Sequence, residues 1–144
     1  MEKNYQRILI ALDGSDGADK AFHKAIGMAK RNNATLILAH VVDTRVISPV
    51  ANYDNEYVNL AKIQGEKILE NYEKKAQDAD FTNVKLLLKR GMPKVVLTKE
   101  IIPDEDIDLI VMGATGVNAV ERFLIGSVTE SIMRHAQCDV LIVK

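Results

Sequence analysis

A single cysteine, Cys138, leaves this 144-residue chain without a partner for an internal disulfide, which argues against a disulfide-stapled secreted domain. Charge of one sign is also missing. The 19 basic and 20 acidic residues are scattered along the chain for a formal net charge of −1, so no field would hold a nucleic-acid backbone. The first residues, Met1-Glu-Lys-Asn-Tyr-Gln-Arg7, hold no apolar signal core and no long apolar run follows. Neither export nor a membrane span is expected, and a cytoplasmic location is. The Asn33-Ala-Thr35 sequon is then an accident, because glycosylation needs a secretory context. Two phosphate-loop patterns are lacking as well. There is no G-x-x-x-x-G-K-[ST], and the loop Asp13-Gly-Ser-Asp-Gly17 is not G-x-G-x-x-G, so Asp43, placed like a ribose-binding acid, does not imply a nicotinamide cofactor. Internal repeats are absent too.

What is present is an alternation of apolar runs with helical patterns, the sign of βαβ units and a parallel sheet. Five strands are expected: Arg7 to Leu12, Thr35 to Val42, Val84 to Leu88, Ile107 to Met112 and Val140 to Val143. The central ones are apolar at successive positions, as burial between two helical layers requires. A first helix carries Ala18, Ala21, Phe22, Ala25, Ile26 and Ala29 at spacings of three and four, and Asn32-Asn33 stops it. A second carries Val58, Ala61, Gly65, Ile68, Tyr72 and Ala76 on one face, with Gly65 a local weakness. Pro93 suits the first turn of a short third helix, Val95 to Ile102, ending before Pro103-Asp-Glu-Asp106. A fourth begins near Ser127. Thr44 to Asn55 reads as irregular and as a border of the crevice. One domain accounts for all 144 residues.

The most specific stretch is Gly113-Ala-Thr-Gly116, nine residues, then Gly126-Ser127-Val128-Thr129. Glycines let a backbone turn and approach a ligand, and the start of a helix bearing hydroxyls points N–H groups at an anion. This G-x2-G-x9-G-[S/T] spacing resembles the signature of the universal stress protein family, in its ATP-binding branch. The resemblance extends over nearly the whole chain. Ile8-Leu-Ile-Ala-Leu-Asp13-Gly-Ser15 and Leu38-Ala-His-Val41-Val-Asp43 are similar to the family's first two strand ends, and Cys138-Asp-Val-Leu-Ile-Val143 to its last strand. Ala11 departs from the pattern, since many nucleotide-binding members have proline there.

The resemblance implies an open five-stranded parallel sheet of order 3-2-1-4-5 with helices on both faces, Rossmann-like and of the adenine nucleotide alpha hydrolase type. Ligands bind such sheets where the strand order reverses, here between strands one and four. Asp13-Gly14 and Gly113 to Gly116 would face each other there. Charge selects the helix: Asp13, Asp16 and Asp19 crowd the start of helix one, whereas helix four has no acid until Glu130. Phosphates are therefore placed against Gly113, Ala114, Thr115, Gly116 and Val117 and against Gly126, Ser127, Val128 and Thr129, with Arg122 supplying charge. Asp13 either accepts from ribose or holds a divalent metal, and it is also a natural cap for helix one. The resemblance favours ATP with Mg2+, and it implies that backbone groups around Ala11, Leu12 and Val41 read the adenine.

Binding groups are clearer than catalytic ones. His40 lies within an apolar strand, His135 near a helix end and His23 on a helical surface, and none has a ligand-like spacing. Cys138 reads as a small core residue. The resulting expectation is a regulatory ATP-binding module acting in stress response. The alternatives are a slow ATPase or self-phosphorylating enzyme using Asp13, a metal and Ser127 or Thr129, and a structural dimer with an empty site. The apolar last strand has only Lys144 to blunt it, so an edge-to-edge homodimer is expected, and the resemblance implies antiparallel pairing across a two-fold axis.

Overall fold

The computed structural model describes residues 4–44, 51–114 and 125–144, with the side chains of 51–55 left aside. Its strands are β1 (Arg7–Ala11), β2 (Thr35–Asp43), β3 (Val84–Gly91), β4 (Leu109–Gly113) and β5 (Asp139–Val143). All pair in parallel in the order β3-β2-β1-β4-β5, as expected from the sequence. The alternation of side chains along each strand divides the apolar residues between two cores. Ile8, Ile10, Leu36, Leu38, Leu109 and Val111 face helix α1 (Asp16–Asn32) and helix α2 (Ala51–Asp78). Leu9, Ile37, Ala39, Ile110 and Met112 face the other layer, where Val96, Leu97, Ile101, Ile102 and Ile132 cover them.

Helix α1 buries Ala18, Ala21, Phe22, Ala25, Ile26 and Ala29. The small residues bring its axis close to the sheet. Ser15 caps its start by accepting from the Ala18 N–H, and Asn33 ends it in the left-handed conformation at φ 54°. Asp13 is thus not the cap. Its Oδ1 accepts instead from the Ser15 N–H at 2.9 Å, shaping the turn before the helix. Gly14, in that turn, has φ of +80°, a region that favours glycine.

Helix α2 begins at Ala51, so residues 51–55 of the segment expected to be irregular are helical, while 45–50 lie outside the described residues. Its buried positions are Gly65, Leu69, Tyr72 and Ala76, with Val58, Ala61 and Ile68 half-buried. Tyr72 stacks edge-on against Phe22 at 4.9 Å between centroids, and Lys75 both bonds Asp19 at 3.0 Å and lies over the Tyr72 ring. Burial, then the Asp19 carboxylate, pushes the Tyr72 phenol up to about 12.

The third helical stretch starts at Pro93 as expected but does not stop before Pro103. It runs as α3 (Pro93–Val95), a π-helical turn (Val96–Ile101) and α4 (Ile102–Asp104). Proline has no N–H to give and its ring crowds the carbonyl one turn earlier, and the wider turn ahead of it carries the chain past that obstacle. Beyond it, Glu105 bonds Lys85 at 2.7 Å and pairs with Arg7 at 3.1 Å, which together hold its carboxyl below the usual range. Asp108 accepts from the Gln6 and Arg7 N–H groups. Ile107 and Asp108, assigned to a strand by their apolar context, thus precede β4 as its anchor. The last helix is α5 (Ser127–His135).

Candidate functional site

The chain runs outward from β1 through β2 to β3, then returns past β1 to form β4 and β5. The strand order therefore reverses between β1 and β4. With Ile10 opposite Val111, the residues that leave these strands side by side are Leu12–Asp13 and Gly113–Ala114.

Both polar groups of the Leu12 main chain are held by β2. Its N–H donates to the Ala39 carbonyl at 2.8 Å, and its carbonyl meets Nδ1 of His40 at 2.6 Å. A carbonyl only accepts, so Nδ1 carries the proton. Ala11 and Val41, half-buried, pack toward the α5 side of the sheet, in register with Ala39 and Lys89 respectively. Asp13 is exposed, with Oδ2 unpartnered among the described residues.

On the β4 side, a Cβ on Gly113 would lie 2.6 Å from the Gly17 carbonyl carbon and oxygen. Gly113 thus seats the first turn of α1 against the end of β4. The Ala114 N–H continues the ladder to the Val143 carbonyl at 3.0 Å, and the Ala114 carbonyl accepts from the Gly126 N–H at 2.8 Å. Thr129, 4% exposed, donates its hydroxyl to the Gly113 carbonyl at 2.9 Å. In the empty protein its proton is committed to that carbonyl. Replacing it by valine should leave that carbonyl unpaired and cost about 1–3 kcal/mol in the empty protein, while serine should recover most of the loss. Chemical denaturation checks this, and an unchanged midpoint in the valine variant would mean that the bond contributes nothing.

Together these bonds fix the start of α5 at the reversal point. Gly126 is its N-cap, extended at φ −62° and ψ 153°, and offers no side chain to the first N–H groups of the helix. Gly126 therefore serves by lacking a side chain, not by a special backbone angle. Ser127 is exposed at the first helical position and Val128 packs into the core behind it. The two helix starts at this place differ. That of α1 is capped by Ser15 and carries Asp16 and Asp19; that of α5 has no side-chain cap among the described residues and only Glu130 as an acid in its first turn. Thr115, Gly116, Val117 and Arg122 lie outside the described residues.

Sequence comparison decides the family. Residues 4–144 match the model of the universal stress protein family. The chain belongs to that family. A putative universal stress protein of Staphylococcus epidermidis is 45% identical over 141 residues, covering 98% of this chain and 85% of the relative. The universal stress protein UspA from Lactobacillus plantarum has a TM-score of 0.91 at 29% identity, covering 99% of this chain and 100% of its own. A universal stress protein in complex with cAMP has a TM-score of 0.72 at 28% identity, over 99% of this chain and 98% of that one.

In this family member no group of three or more His, Cys, Asp or Glu side chains able to hold a metal occurs among the described residues. No helix there is long and apolar enough to cross a membrane. Cys138 is half-buried, and burial pushes its thiol up, as expected of a packing residue. Sequence reading left His40 without a role. Its signal was a polar side chain inside an apolar strand, next to the residues that the family signature singles out.

Proposed function

We propose that this universal stress protein is a regulatory module that binds an adenine nucleotide, ATP with Mg2+, in the crevice between β1 and β4. The observation that carries the reading is the start of α5, without a side-chain cap among the described residues and held at the reversal point opposite an acidic, capped α1. Unpaired N–H groups at the positive end of a helix dipole attract phosphate. Ser127 adds an exposed hydroxyl beside them, Gly126 and Ala114 frame the approach, and Ala11, Leu12 and Val41, at the strand ends that border the crevice, are the positions proposed to lie against the base. The complex of a similar family member with cAMP supports an adenine ligand.

Asp13 fits a magnesium ion only in company. One exposed carboxylate with one oxygen available is a weak ligand set alone, whereas Mg2+ commonly joins one or two carboxylates, waters and substrate phosphates. The buried Thr129 is engaged with the Gly113 carbonyl, which makes it a poor phosphate acceptor. The reading put forward is binding.

Equilibrium dialysis of wild type and Asp13→Asn against ATP tests this, in Mg2+ and in EDTA. Wild type should bind, with its melting point raised by the ligand. Asparagine retains the oxygen that accepts from Ser15, so Asp13→Asn should weaken binding mainly in Mg2+. Equal loss in both conditions would instead make Asp13 a ribose ligand. Wild type that binds neither ATP nor any other adenine nucleotide would sink the proposal.

The same proposal includes a homodimer through β5, an edge strand whose last four residues are apolar and half-buried. Sedimentation equilibrium at tens of micromolar protein is expected to give twice the chain mass; a monomer there would refute it.

A further inference from the structure

We propose that His40, seated against Gly65, is a positioning residue for nucleotide: it holds the Leu12 carbonyl and thereby the Leu12–Asp13 main chain at the crevice. The inference rests on the nucleotide reading above and adds residues that make no ligand contact in it. Nδ1 of His40 donates to the Leu12 carbonyl at 2.6 Å, while the neighbouring Ala39 carbonyl takes the Leu12 N–H at 2.8 Å. Two successive residues of β2 thus clamp the last residue before Asp13.

The far edge of the imidazole explains a glycine inside α2. A Cβ on Gly65 would stand 2.6 Å from Cδ2 and 3.2 Å from Nε2 of His40. Such a contact forces the ring to move, and Nδ1 moves with it. The second near atom, Cδ1 of Leu88 at 2.8 Å, ends a flexible side chain and yields more easily. Gly65 is helical and buried, so a helix-weakening residue is kept there to make room for the ring. The chain Gly65–His40–Leu12 joins the outer helix to the main chain that precedes Asp13.

The test uses ATP affinity by calorimetry, with the melting point of the empty protein measured alongside. The amide nitrogen of asparagine falls where Nδ1 of histidine does, whereas that of glutamine falls where Nε2 does. His40→Asn should therefore bind within a few-fold of wild type, and His40→Gln and His40→Leu should bind roughly tenfold more weakly, the equivalent of one lost hydrogen bond. Gly65→Ala should weaken binding in wild type but not in His40→Asn, whose shorter side chain lacks the atoms that clash. If His40→Leu fails to fold, the glutamine variant and the Gly65→Ala cycle still decide. A merely structural role for His40 would lower melting points without the asparagine rescue or the cycle, and that overturns the inference. So do variants that all bind as wild type does, a result that leaves the nucleotide reading intact. Wild type without affinity for ATP overturns both.

Discussion

Gly113→Ala is expected to destabilise the empty protein by about 3 kcal/mol or more, at or above the top of the usual range for overpacking. The added methyl would stand 2.6 Å from the carbonyl carbon and oxygen of Gly17 and 2.8 Å from its Cα. These are backbone atoms in the first turn of α1, so no side-chain rotation relieves the contact. Helix α1 must withdraw from β4, and with it the Asp13–Ser15 turn that borders the crevice. A fall in melting point of roughly 6–12 °C follows for a domain of this size, together with loss of ATP binding. Gly27→Ala is the control. There the new methyl meets only the end of the Arg31 side chain at 3.2 Å, and an alanine in a helix stabilises by up to about 1 kcal/mol. Thermal melts of the two variants should move in opposite directions. Equal melting points for Gly113→Ala and wild type would mean that α1 and β4 do not meet as described.

Gly126→Val is expected to weaken ATP binding at least a hundredfold, about 2.7 kcal/mol, while the fold persists. Backbone strain is not the reason, because φ −62° and ψ 153° suit any residue. The branched side chain would instead stand over the first N–H groups of α5, where the phosphates are placed. Gly126→Ser separates capping from binding. A serine N-cap accepts from those same N–H groups and should stabilise the empty protein by a few tenths of a kcal/mol. It should also compete with phosphate, so affinity falls as stability rises. A serine variant that is both more stable and as tight a binder as wild type would place the phosphates elsewhere.

Several residues make contacts that sequence reading did not foresee. Thr129 and Gly113, read as ligand groups because hydroxyls and glycines near a helix start often are, also meet other parts of the chain. The alternative of Asp13 as a helix cap gives way to Ser15, two residues on, which has the extended backbone and the reach to Ala18. Pro103 looked like a stop. A widened helical turn carried the chain through it.

The alternation and spacing of apolar residues by themselves determined the five strands, the stripes of α1 and α2, and the parallel arrangement. Those patterns are set by the local periods of strand and helix, which each segment carries alone. The family signature likewise located the reversal point and the start of α5. Only the tertiary structure decided which polar groups remain free there. The pairs Thr129 with Gly113, Gly113 with Gly17, Ser15 with Asp13, and His40 with Leu12 and Gly65 depend on where the packed elements meet. A donor or a glycine has the same letter whether it serves a ligand or a neighbouring strand, and close packing in three dimensions assigns it to one or the other.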